Sequence, residues 1–232
     1  RSYSVRFIEN TGRSIQMGTD FIDRIKDISE KVRKSHEAVQ TEEATKNAFI
    51  MPFIAALGYD VFDPTEVVPE FTADVGIKKG EKVDYAIIKD GEPTILFECK
   101  WCGQDLDEAN VSQLIRYFNA TPGKIGVLTN GIMYRFFTDL EEPNKMDTRP
   151  FLEFDMFEVH ESLVDELKKL TKSSFDIEEM LSAAGDLKYT KEIRQLLAEQ
   201  LESPDDELVK LFAGRVYSGA RTQKVVEQFR SI

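Results

Sequence analysis

Residues 83–101 read VDYAIIKDGEPTILFECKW, two apolar runs joined by Asp90-Gly91. An Asp-Gly step between such runs predicts a tight hairpin, so strands are expected over 82–89 and 94–101. Ile95, Leu96 and Phe97 mark the second as a central strand, covered on both faces. Charges are costly in such a place, yet Asp84, Glu98 and Lys100 interrupt the pattern. Because side chains alternate along a strand, Glu98 and Lys100 share one face and Cys99 takes the other. Antiparallel pairing through the short turn brings Asp84 beside the Glu98 end of its partner. Two carboxylates at ~4 Å repel by about 4 kcal/mol at an effective dielectric near 20, and one lysine offsets only part of that. A further cation is expected between them.

Mg²⁺ is the simplest candidate, with Mn²⁺ as a substitute, because it takes one or two carboxylates and keeps waters and phosphate oxygens in its shell. Asp84, Glu98 and the backbone carbonyl of Cys99 would hold it. Lys100 would orient an attacking water and stabilise charge on a phosphate. This is phosphodiester hydrolysis in outline. The plainer reading makes Asp84 a strand-end partner of Lys82 or Lys100, and leaves Glu98 and Lys100 on an exposed strand face.

Working outward, Thr19 or Asp20 can cap a helix whose apolar stripe is Phe21, Ile22, Ile25, Ile28 and Val32. In QTEEATKNAFIMPFIAALGYD (40–60), Thr41 can cap and Glu42 and Glu43 suit the positive first turn. Phe49, Ile50, Phe53, Ile54 and Leu57 recur at helical spacing before Gly58, and Pro52 should bend the helix. Short strands are expected at 59–62 and 67–71. A helix over 105–120 turns Leu106, Val111, Leu114, Ile115 and Phe118 inward, and strands at 124–130 and 132–139 flank Asn130-Gly131. This order predicts an α/β fold, a mixed sheet flanked by helices. From about 158 the pattern is helical, punctuated by Gly185 and Ser203-Pro204.

The 232 residues are 41% hydrophobic and 31% charged, enough apolar surface for a sizeable core. No apolar run is long enough for a membrane span and the first residues lack a secretion signal, which predicts a soluble, cytoplasmic protein without membrane partners. The net charge of -12 argues against coating nucleic acid through an overall basic field. Much of it lies in 151–203, with 13 acidic and 6 basic residues, leaving room for a basic loop at Lys78, Lys79 and Lys82 that is either a solvated turn or a phosphate contact. Cys99 and Cys102 form a CxxC, but a structural zinc needs about four ligands and the histidines, His36 and His160, are remote in sequence. Trp101 either packs, stacks on a base or covers the rim of the site.

Asp84 in VDYA, Glu98 and Lys100 in ECK, and the downstream QLIRY resemble the PD-(D/E)xK nuclease superfamily, and within it the N-terminal endonuclease domain of type I restriction enzyme R subunits. QLIRY matches that branch's QxxxY motif through Gln113 and Tyr117, which lie four apart on one helical face. The resemblance covers about 38–140. It implies a restriction-endonuclease-like fold and Mg²⁺-dependent cleavage of DNA. It also implies a helix carboxylate, Glu42 or Glu43, near the metal, and a role for Gln113 and Tyr117 in supporting Lys100 or touching nucleic acid. Implied partners are DNA, other restriction-system subunits or a second copy of the chain. The rival reading is a catalytically silent module of the same fold that binds nucleic acid or protein. The expected organisation is an extension over 1–17, a nuclease-like domain over 18–157 and an acidic helical region over 158–232, cut from a longer natural chain.

Overall fold

The computed structural model describes residues 20–72 and 82–230, so the proposed extension, Lys78 and Lys79 lie outside the described residues. Among the described residues, six strands form one sheet in the order β1 (Val67–Thr72), β2 (Lys82–Lys89), β3 (Glu92–Cys99), β4 (Ile125–Thr129), β5 (Met133–Phe137) and β6 (Leu152–Asp155). β3 and β4 run parallel and the other neighbours are antiparallel. The sheet is therefore mixed, as the sequence predicts. Its helices include α1 (Phe21–Ser35), α4 (Glu108–Asn119), which links the parallel pair, and further helices after the sheet.

The β2–β3 hairpin turns at Asp90 and Gly91, with φ of +54° and +85°. Positive φ at both central residues matches the right-handed twist of the strands, which is why Asp-Gly serves there. β3 begins and ends two residues earlier than expected. Trp101 has already left the sheet; it donates its indole N–H to the Val39 carbonyl at 2.8 Å and packs, partly buried, against the core.

Asp20 caps α1 by accepting the Phe21 N–H, and Thr41 caps α2 (Glu42–Thr45) by accepting from Ala44. Between α2 and α3 (Met51–Ala56), residues Lys46–Ile50 form a π turn in which the Met51 N–H reaches back to the Lys46 carbonyl. Pro52 supplies the cause: its ring has no N–H to give and crowds the preceding turn, which widens to accommodate it. The helical run continues through Pro52 without a break and ends at Gly58, with φ of +94°.

One face of the sheet packs against α1, the α2–α3 run and α5 (Glu161–Lys168), through Ile25, Phe49, Phe53, Phe97, Tyr134, Phe154 and Leu167. The opposite face packs against α4, where Leu114, Tyr117 and Phe118 meet Ala86, Leu96 and Leu128. Both faces of β3 are thus covered, and seven of its eight residues are buried.

Two expectations need correction, and one strand lies outside them. Residues 59–62 form no strand: Asp60 accepts the Phe62 N–H and Asp63 the Thr65 N–H, side-chain turns that compete with pairing. Gly185 does not break its helix; α6 (Ile177–Glu202) runs through it for 26 residues. An interior glycine costs only about 1 kcal/mol, and Met180, Ala184 and Lys188 are buried on either side. β6 went unforeseen because its alternation, with Leu152 and Phe154 buried, lasts only four residues. The Ser203-Pro204 step does end α6, after which come α7 (Asp206–Val216) and α8 (Gln223–Arg230).

Candidate active site

The ends of β2 and β3 part company where the charges begin. The paired register reaches Tyr85 and Phe97, and one residue further the Asp84 carboxylate accepts the Cys99 N–H at 2.7 Å. A side chain thus substitutes for a strand carbonyl, which holds Asp84 at the tip of β3. β3 stays paired with β4 to Cys99 and Thr129, and the Lys100 N–H donates to the Thr129 carbonyl at 2.8 Å. Lys100 lies beyond the strand, yet its backbone remains fixed to the sheet.

Glu98 is 2% exposed, and its Oε1 accepts from the Lys100 ammonium at 2.6 Å. Its Oε2 is buried with no hydrogen-bond partner among the described residues. Burial pushes the Glu98 carboxyl up to about 7; the Lys100 hydrogen bond opposes the rise, and the negative charges of Asp84 and Glu42 add to it. Asp84 and Glu98 therefore lie within electrostatic reach of one another. Burial alone would lower the Lys100 pKa, but its hydrogen bond to Glu98 and the charges of Glu98, Glu42 and Asp84 outweigh that, and the net shift is upward.

Gln113 and Tyr117 come to this group from α4. Lys100 donates to Gln113 Oε1 at 3.3 Å, and Gln113 Nε2 donates to the Tyr117 hydroxyl at 3.2 Å. With Glu98 this makes a chain of polar contacts running from the sheet to the helix. The spacing of four brings both side chains to one side of α4, as the motif requires.

Sequence reasoning missed Lys46. From the opposite helical layer its ammonium reaches Asp84 at 2.6 Å, Glu43 at 2.9 Å and Glu42 at 3.3 Å. Burial works against its charge, but the hydrogen bonds to Asp84 and Glu43 and the charge of Asp84 raise its pKa well above the usual value. Asp84 is thus paired with neither Lys82, which binds Glu70, nor Lys100. The available signal was the spacing of Lys46 three and four residues after Glu43 and Glu42, a pattern shared by ordinary helix-surface pairs. Of the two glutamates, Glu42 is the less exposed, and its charge acts on Glu98 and Lys100.

Among the described residues no three Asp, Glu, His or Cys side chains converge as a metal-ligand group. The two carboxylates at the strand tips each carry a lysine instead. Cys99 and Cys102 are both buried free thiols, and the Cys102 thiol faces the carbonyls of His36 and Val39.

Residues 39–145 match the family model of the type I restriction enzyme R protein N terminus. The matched span contains Glu42, Lys46, Asp84, Glu98, Lys100, Gln113 and Tyr117. Comparison with curated proteins and with solved structures gave no match. No helix among the described residues is long and apolar enough to cross a membrane.

Proposed function

We propose, from the likeness of residues 39–145 to the R-protein N terminus, that this chain is a Mg²⁺-dependent nuclease of a restriction system that hydrolyses DNA phosphodiester bonds. The observation that carries the reading is Glu98 Oε2, a buried carboxylate oxygen with no donor among the described residues, while the charge of Asp84 acts on the same carboxyl. A buried anionic oxygen without a partner is expensive, and a hard cation satisfies it. Asp84, Glu98 and the Cys99 carbonyl would hold Mg²⁺ or Mn²⁺, with Glu42 reaching it through water. The bound ion would polarise a phosphate oxygen and lower the pKa of a coordinated water.

The remaining chemistry belongs to the chain itself. Lys100, anchored by Glu98 and Gln113, positions the attacking water and offsets charge building on the phosphate. Tyr117 fixes Gln113 and through it the lysine. DNA is the substrate, and other restriction-system subunits or a second copy are the candidate protein partners.

A plasmid-nicking assay with Mg²⁺ or Mn²⁺ tests this, comparing wild type with Lys100→Ala. Nicking by wild type that disappears in the folded variant is expected; absence of nicking with either ion overturns the catalytic reading. That result would favour a silent binding module. The observation on its side is that Lys46 and Lys100 already neutralise Asp84 and Glu98.

A further inference from the structure

Each oxygen of the Asp84 carboxylate has a partner. Oδ2 accepts the Cys99 backbone N–H at 2.7 Å and Oδ1 accepts the Lys46 ammonium at 2.6 Å. Each carboxylate oxygen keeps a second lone pair, so the hydrogen bonds do not exclude a cation, but a divalent ion at Asp84 would meet a second positive charge there, the Lys46 ammonium. The Cys99 amide is neutral and fixed, because β3 is locked to β4 through Cys99 and Thr129, and it can stay in place. The Lys46 ammonium can leave: it sits on a flexible four-carbon stem, and two of its three anions, Glu42 and Glu43, lie on its own helical run and stay within its reach when it parts from Asp84.

We infer that Lys46 is a resident counter-ion that occupies the Asp84 side of the cation site and must swing away, towards Glu42 and Glu43, when a divalent ion binds. It is a positioning residue: it touches neither substrate nor scissile bond, and it sets how tightly the site takes its metal. This inference rests on the metal-site reading above.

The geometry explains why three carboxylates tolerate one another at this end of the sheet. An ammonium has three donors, and Lys46 presents one each to Asp84, Glu43 and Glu42, all within 3.3 Å. The π turn that starts at Lys46 belongs to the same helical run as the two glutamates, so the lysine and its alternative partners form one unit facing a fixed aspartate. A divalent ion arriving at Asp84 repels the ammonium and replaces it.

The test is calorimetric titration of wild type, Lys46→Met and Lys46→Arg with Mg²⁺ and with Mn²⁺, alongside metal-free melting temperatures. Lys46→Met keeps the stem and removes the competing charge. It is expected to melt lower without metal, because its carboxylates lose their cation, yet to bind Mg²⁺ at least tenfold more tightly than wild type. Lys46→Arg is expected to stay within a few-fold of wild type. Equal or weaker Mg²⁺ binding by folded Lys46→Met overturns the inference while leaving the metal site standing. No binding of either ion by wild type overturns the metal site itself and this inference with it. Should Lys46→Met fail to fold, lysine-selective nitrogen NMR of wild type decides. The Lys46 ammonium, protected from exchange without metal, should shift and lose protection as Mg²⁺ is added; an unmoved signal at saturating Mg²⁺ overturns the proposal.

Discussion

Substituting Glu98 by Gln should remove a specific pH dependence from the stability of the metal-free protein. The folded state holds the Glu98 carboxyl at about 7, against an ordinary 4.5, chiefly because it is buried. Between those two values the native protein keeps a proton that the unfolded chain has released. Its stabilising share is therefore full below about pH 4.5, is lost as pH rises through 7, and stays lost above it. At 1.36 kcal/mol for each pH unit of displacement, the loss is about 3 kcal/mol. For a chain of this size 1 kcal/mol moves the melting temperature by roughly 2–4 °C, so the effect is roughly 6–12 °C. Scanning calorimetry in chelator at intervals from pH 5 to pH 8 reads it as the difference between wild type and Glu98→Gln. Gln keeps an acceptor for Lys100 and cannot titrate, so wild type should lose ground to the variant as pH rises. Saturating Mg²⁺ should cancel the loss by favouring the ionised carboxylate. Parallel melting curves for the two proteins across this range would refute the reasoning.

Asp84→Asn retains an acceptor for the Cys99 amide but not the charge, so the rise in melting temperature on adding Mg²⁺ should vanish in a thermal-shift titration. Tyr117→Phe removes the hydroxyl held by Gln113; unfolding free energy should change by about 1 kcal/mol, while plasmid nicking should slow several-fold. Lys188→Met leaves Asp147 buried without its cation, held by the Leu140 and Glu141 amides, and should cost about 3–5 kcal/mol, read as a lower urea midpoint. Gly131→Ala should destabilise by about 2 kcal/mol or more in the same assay. Gly131 has φ of +78°, and an added methyl would lie 3.0 Å from Thr45 and Phe49 on the helix that carries Lys46.

The hairpin of β2 and β3 is legible because Asp90-Gly91 imposes its own geometry, whatever surrounds it. The same holds for the helix capped by Thr41, and for Gln113 and Tyr117, whose helical spacing alone brings them to one side. Where reading failed, local signals competed. Residues 59–62 have strand-like side chains, but Asp60 and Asp63 satisfy the backbone themselves. Gly185 carries a breaker's chemistry, and burial of its helix outweighs the cost.

Local chemistry, written in the order of residues, was enough to indicate a mixed α/β sheet and to single out Asp84, Glu98 and Lys100, because charges in an apolar central strand conflict with their neighbours wherever the chain folds. The partners of those charges depended on packing. Lys46 meets Asp84 across 38 positions of chain, and Glu98 is left with an oxygen facing no donor among the described residues, only because a helical layer and the ends of two strands close on the same point. Electrostatic pairing is decided by distance in space, and spacing along the chain reports that distance only within a helix or a strand.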